Sequence, residues 1–95
     1  MGFRTQEEED ALERMTLDEF LIDNREASFL MRAASDSMRG EGILRGDLLL
    51  VDRSKDPRPG DIVISVEEGA FALRQFSENV SKVEAVVTSV IRKLR

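Results

Sequence analysis

Cysteine, histidine, tryptophan and tyrosine are all missing from this chain of 95 residues. Without cysteine there are no disulfides, no thiolate nucleophiles and no thiolate metal sites. Without histidine there is no Ser-His-Asp triad and almost no zinc or iron chemistry. Any catalysis must therefore run on serine or threonine hydroxyls, lysine or arginine, and carboxylates. An excess of positive charge is absent too: 14 basic residues face 19 acidic ones, for a net charge of −5 and a pI near 4.8. That balance argues against direct duplex binding, which relies on a basic face. No apolar run approaches membrane-spanning length, and the polar opening Gly2–Asp10 has no apolar segment of the kind a secretory signal carries. The expected compartment is the cytoplasm.

What remains is the material of one small globular domain. The hydrophobic fraction is 41% and the mean hydropathy −0.29. A chain this size buries roughly two-thirds of its unfolded surface, enough for one thin core. Residues 1–15 are polar and carry the run Glu7-Glu-Glu-Asp10, which reads as a solvated acidic arm. The single domain then spans residues 16–95. Thr16-Leu-Asp-Glu19 matches a capping box. Leu17, Phe20 and Leu21 follow at helical spacing, which predicts one short helix packed by that face and ended at Asp23-Asn24.

The rest of the chain predicts strands. Ser28–Ala33 is one, and Leu48–Val51 a second, apolar on both faces and therefore central. Asp56-Pro-Arg-Pro-Gly60 is a turn, since its prolines fix φ and end the preceding strand. Asp61–Val66 leads into a hairpin at Glu67-Glu-Gly69, and Phe71 and Leu73 lie on the returning strand, with a register break before Phe76. Val83–Leu94 is rich in β-branched residues and reads as a final strand. The fold class is mainly β with one short N-terminal helix.

The stretch that organises the chain is Arg32-Ala-Ala-Ser-Asp-Ser-Met-Arg-Gly-Glu-Gly42. Small polar residues between two apolar strands expose Ser37 at a tight corner beside the core. A nucleophile would sit there, but a turn needs serine there as well. In the second reading the Ser37 hydroxyl simply caps the turn into Met38-Arg39-Gly40. Asp36, Asp47 and Asp52 lie close by but lack the spacing of a calcium loop, so no metal site is expected, and no cofactor.

Ala34-Ser-Asp-Ser-Met38, Gly46-Asp-Leu-Leu-Leu-Val-Asp52, Gly60-Asp-Ile-Val-Ile64, Gly69-Ala-Phe-Ala-Leu73 and the closing Val86–Arg95 occur in the order seen in the UmuD/LexA family of self-cleaving Ser–Lys peptidases. The chain resembles that family over nearly its whole length, most of all the shortened, processed form of UmuD. The resemblance implies the LexA/UmuD-like peptidase fold, here trimmed by one hairpin, because only Ser77–Lys82 joins the last two strands. It maps the nucleophile onto Ser37 and the general base onto Arg74. The family's base is a lysine made neutral by desolvation. An arginine side chain keeps its proton inside proteins and cannot take that part. Of the three lysines, Lys55, Lys82 and Lys93, only Lys82 opens a strand that could approach Ser37.

Family members cut their own N-terminal arm before a glycine, and Met1-Gly2-Phe3 resembles the product of that cut. The expectation is therefore a protein that is not a working enzyme. By the resemblance it would be an accessory factor of the DNA-damage (SOS) response, assisting error-prone translesion synthesis through contacts with a polymerase subunit or the recombinase filament. It would be a homodimer with its last strand near the interface, whereas mixed dimers with other family members would depend on Val86, Val90 and Ile91 if that strand is the contact. It would bind no specific DNA sequence and no membrane. The alternatives are a modulator forming mixed dimers with UmuD- or LexA-like proteins and, third, a serine peptidase with an unusual base.

Overall fold

The computed structural model describes residues 12–95, so most of the acidic arm, and Met1-Gly2-Phe3, lie outside the described residues. The order of elements is α1 (Leu17–Leu21), β1 (Ser28–Arg32), β2 (Leu48–Asp52), β3 (Ile62–Glu67), β4 (Ala70–Gln75) and β5 (Val83–Ile91). The five strands form one antiparallel sheet in the order β1-β2-β5-β3-β4. The mainly-β expectation with one short helix is met.

Each turn has a local cause. After β2, Asp52 Oδ1 accepts from the backbone amide (2.7 Å) and the hydroxyl (2.6 Å) of Ser54, which folds the chain out of the sheet. The proline turn closes on Asp61, whose carboxylate accepts from the Arg58 amide at 2.8 Å. The β3–β4 hairpin turns at Glu68 and Gly69, both at positive φ (51° and 79°). That is the two-residue geometry matching the natural twist of paired strands. Its register runs unbroken from Glu67 opposite Ala70 to Ile62 opposite Gln75. The expected break before Phe76 is not found: Phe76 lies past the strand and donates its amide to the Asp61 carbonyl at 2.7 Å.

β2 is buried along most of its length, as its unbroken apolar run predicts. Leu49 and Val51 meet Ile64 and Ala85 in the core, which Ala33 and Ile43 of the β1–β2 loop complete. Two expectations change. Leu17 and Phe20 are 77% and 70% exposed, so α1 packs only in part by that face; Leu17 and Leu21 border a shallow groove with Ile22, Leu30 and Leu50. A five-residue helix has too little length to bring a full stripe against the sheet. The second change concerns β5. It is paired on both sides, with β2 and β3, and Val86 is buried. A contact through this strand must use the side-chain face near Val90, not Val86 and not a free edge; the sheet's edges are β1 and β4. Among the described residues no helix is long and apolar enough to cross a membrane.

Candidate functional site

The loop from residue 33 to residue 47 carries Ser37, and backbone bonds fasten both its ends. The Ala33 amide donates to the Asp47 carbonyl and the Gly46 amide to the Ala33 carbonyl, each at 2.8 Å, so the β1–β2 pairing continues past the strands. Inside the loop, the Asp36 carboxylate accepts from the Arg45 amide at 3.0 Å. A 3₁₀ turn at Arg39–Glu41 ends at Gly42, whose φ of 85° suits glycine. Ile43, 2% exposed, anchors the loop in the core.

A second fastening comes from far along the chain. The buried Asp47 carboxylate accepts from the Leu44 amide at 2.8 Å and from Arg92 Nε at 2.7 Å. Arg92 also donates to the Gly42 carbonyl at 3.0 Å. The Arg92 hydrogen bond, helped by the Leu44 amide, holds the Asp47 carboxyl down at about 2. Asp36, Asp47 and Asp52 are thus each occupied in holding a turn.

Ser37 is exposed at the rim of a groove of about 440 Å³. Met31, Leu49, Ile64 and Leu73 form its apolar floor, Ser35 shares the rim, and Arg74 borders it. The Ser35 hydroxyl donates to Ser37 Oγ at 3.1 Å and itself accepts from the Ser37 amide at 3.3 Å. The following 3₁₀ turn has Met38 as its N-cap, with no side-chain cap bond, and the bond found for the Ser37 hydroxyl is the one from Ser35.

Arg74 borders the same groove, as its place in the sequence predicts, but its head group is engaged elsewhere. Arg74 stands opposite Val63, Ala72 opposite Ser65, and Ala70 opposite Glu67. Side chains alternate along a strand, so Arg74 shares a face with Ser65 and Glu67 and not with Leu73. The small Ala72 and Ala70 leave its path open. The guanidinium grips Glu67 in two places, Nε to Oε2 at 3.0 Å and the terminal nitrogen to Oε1 at 2.8 Å. The fully buried Ser65 donates to the same carboxylate at 2.8 Å. Arg74 first, then Ser65, lowers the Glu67 pKa.

No lysine lines this groove. Lys55 pairs with Asp23 at 3.0 Å, and that bond raises its pKa, the reverse of what a neutral base requires. Lys82 sits at φ 55° in the link before β5, where its carbonyl accepts from the Val66 amide. Two residues of this arrangement escaped the sequence: Glu67, seven positions from Arg74, and Arg92, forty-five from Asp47. Only strand register brings either pair together.

A serine on a clasped loop over an antiparallel sheet, sharing a groove with Arg74 of the β3–β4 hairpin, is the arrangement that the family resemblance implies. The comparisons agree. The family model described as Peptidase S24-like matches residues 1–86, and the chain belongs to that family. It is 36% identical over 74 residues to protein ImpA of Salmonella typhimurium, covering 78% of this chain and 51% of that one. Protein SamA of Salmonella typhimurium is 38% identical over 63 residues, covering 66% and 45%. The LexA repressor of Shewanella piezotolerans is 40% identical over 57 residues, covering 60% and 28%. The chain spans about half or less of the curated relatives it matches.

Proposed function

We propose that the protein is a non-catalytic, UmuD-like member of its family. In this reading it acts in the DNA-damage response by contacts with other proteins, and assists error-prone translesion synthesis. The observation that carries the reading is the bidentate Arg74–Glu67 pair at the position where the family's mechanism needs a neutral amine. An arginine holds its proton, and a carboxylate gripping it in two places opposes any loss of that proton. Among the described residues, Ser37 is left with the hydroxyl of Ser35 as its side chain's partner and no lysine beside it.

The relatives named LexA repressor and the family resemblance to UmuD support a role in the damage response, and the acidic composition supports protein partners over DNA. The test is co-purification of the tagged full chain with a translesion polymerase subunit from damaged cells, beside a chain lacking residues 2–12. Retention of the polymerase by the full chain and its loss on deletion supports the reading. Equal retention by an unrelated acidic domain contradicts it.

A second reading, a subunit that forms mixed dimers with UmuD- or LexA-like proteins, is favoured by one observation. Leu17, Phe20 and Leu30 are large, apolar and more than half exposed. Exposed apolar side chains near one another suit a contact surface. Co-expression of two differently tagged family members, followed by sequential affinity capture, tests it; recovery of only like-with-like species rejects it.

A further inference from the structure

At one end of the sheet, Arg32 of β1, Leu48 of β2 and Ile91 of β5 stand in a single row across three neighbouring strands. Past this row the chain turns back through residues 44–47 on one side and runs out through Arg92 and Lys93 on the other. Between them lies a groove of about 490 Å³. Four of its lining residues are cationic, Arg32, Arg45, Arg92 and Lys93, and Asp47 is its one carboxylate. Leu44, Leu48 and Ile91 supply apolar surface.

Arg92 is consumed by Asp47 and the Gly42 carbonyl. The other three cations have no carboxylate partner among the described residues. Arg32 donates only to the Gly46 carbonyl, at 3.1 Å. Three unneutralised positive charges around one concavity, in a chain whose net charge is −5, form a local field opposite in sign to the whole molecule. Such a field favours an anionic occupant.

We propose that this groove receives an acidic peptide segment of a partner protein. Its carboxylates would meet Arg32, Arg45 and Lys93, and an apolar side chain would rest against Leu44, Leu48 and Ile91. The apolar surface favours a peptide over a nucleic acid, since no aromatic ring lines the groove for a base to stack on. The proposal is independent of whether Ser37 is reactive.

The test is a titration of the full, nitrogen-15-labelled chain with a blocked eight-residue peptide of alternating glutamate and leucine, read by amide shifts. Parallel titrations use the same peptide with glutamine for glutamate, and an eight-nucleotide thymidine oligomer. The acidic peptide should move the amides of Arg32, Gly46 and Lys93 along one saturable curve and bind at least ten-fold more tightly than the glutamine peptide. The exposed pair Arg45→Glu and Lys93→Glu should weaken it at least ten-fold, and the milder Arg45→Ala and Lys93→Ala pair about three-fold, with the melting temperature unchanged. No saturable shift at these amides, equal affinity for the glutamine peptide, or indifference to both variant pairs overturns the proposal. Tighter binding of the oligomer at the same amides overturns it in favour of a nucleic-acid groove.

Discussion

In the proposed reading, Arg74 and Glu67 decide what Ser37 can do. A lysine at position 74 would inherit the Glu67 partner, and a facing carboxylate favours the charged amine. Arg74→Lys alone is therefore expected to leave Ser37 unreactive at neutral pH. Arg74→Lys combined with Glu67→Gln removes that hold, and reactivity of Ser37 toward a fluorophosphonate should appear there first. Reactivity in the single variant equal to that in the double would remove Glu67 from the explanation.

Asp47 gives a second prediction at this scale. Its carboxyl titrates near 2 in the folded chain against an ordinary 3.8, with Arg92 as the main cause. A lowered folded pKa means the unfolded chain binds the proton first, so stability falls as pH falls. The Asp47 contribution is whole above about pH 4 and is lost progressively toward pH 2. Asp52 and Glu67 shift in the same direction. Denaturant melts between pH 5 and 2 should therefore weaken steadily, and Asp47→Asn should flatten the lower part of that curve. The serine and the base position could be read from motif order. Arg92 could not, because nothing in a run of Val-Ile-Arg-Lys says which carboxylate lies beside it.

Elements with a local cause were legible, and elements with a distant one were not. The Glu68-Gly69 hairpin declares itself through turn chemistry, and β2 through its apolar run. Gly69→Val should cost about 1–2 kcal/mol, the penalty of a side chain in the left-handed region, seen as a lower melting temperature with the fold retained. Leu49→Ala, which empties a site 2% exposed in the sheet's centre, should cost about 2–5 kcal/mol. One half of the capping box was legible as well: the Glu19 amide donates to Thr16 Oγ at 3.1 Å, while the return bond from the Thr16 amide to the Glu19 carboxylate is not found. Periodicity named the apolar stripe of α1, but it could not say whether anything lay beneath that stripe. Likewise the composition of β5 predicted a strand, while its place between β2 and β3 depends on pairings 18 to 43 residues away.

For the molecule as a whole, the missing cysteine and histidine narrowed the available catalytic groups to hydroxyls, lysine, arginine and carboxylates, and the acidic balance argued against duplex binding. The apolar surface is where the sequence was least informative. Leu17, Phe20 and Leu30 are each more than half exposed, more than a thin core leaves uncovered without a use. A homodimer through this surface is expected. Light scattering over a dilution series should give twice the chain mass, and Phe20→Glu with Leu30→Glu should shift it to one. A folded monomer at every concentration would assign the exposed side chains to a different partner.

Whether the family's catalytic pair is broken here is best measured by intact mass spectrometry after incubation with a fluorophosphonate. The mass should be unchanged at neutral pH after hours of exposure. A single adduct mapped to Ser37 in the unaltered chain would contradict the proposed reading, because the hydroxyl would then have a base that the Arg74–Glu67 pair does not provide.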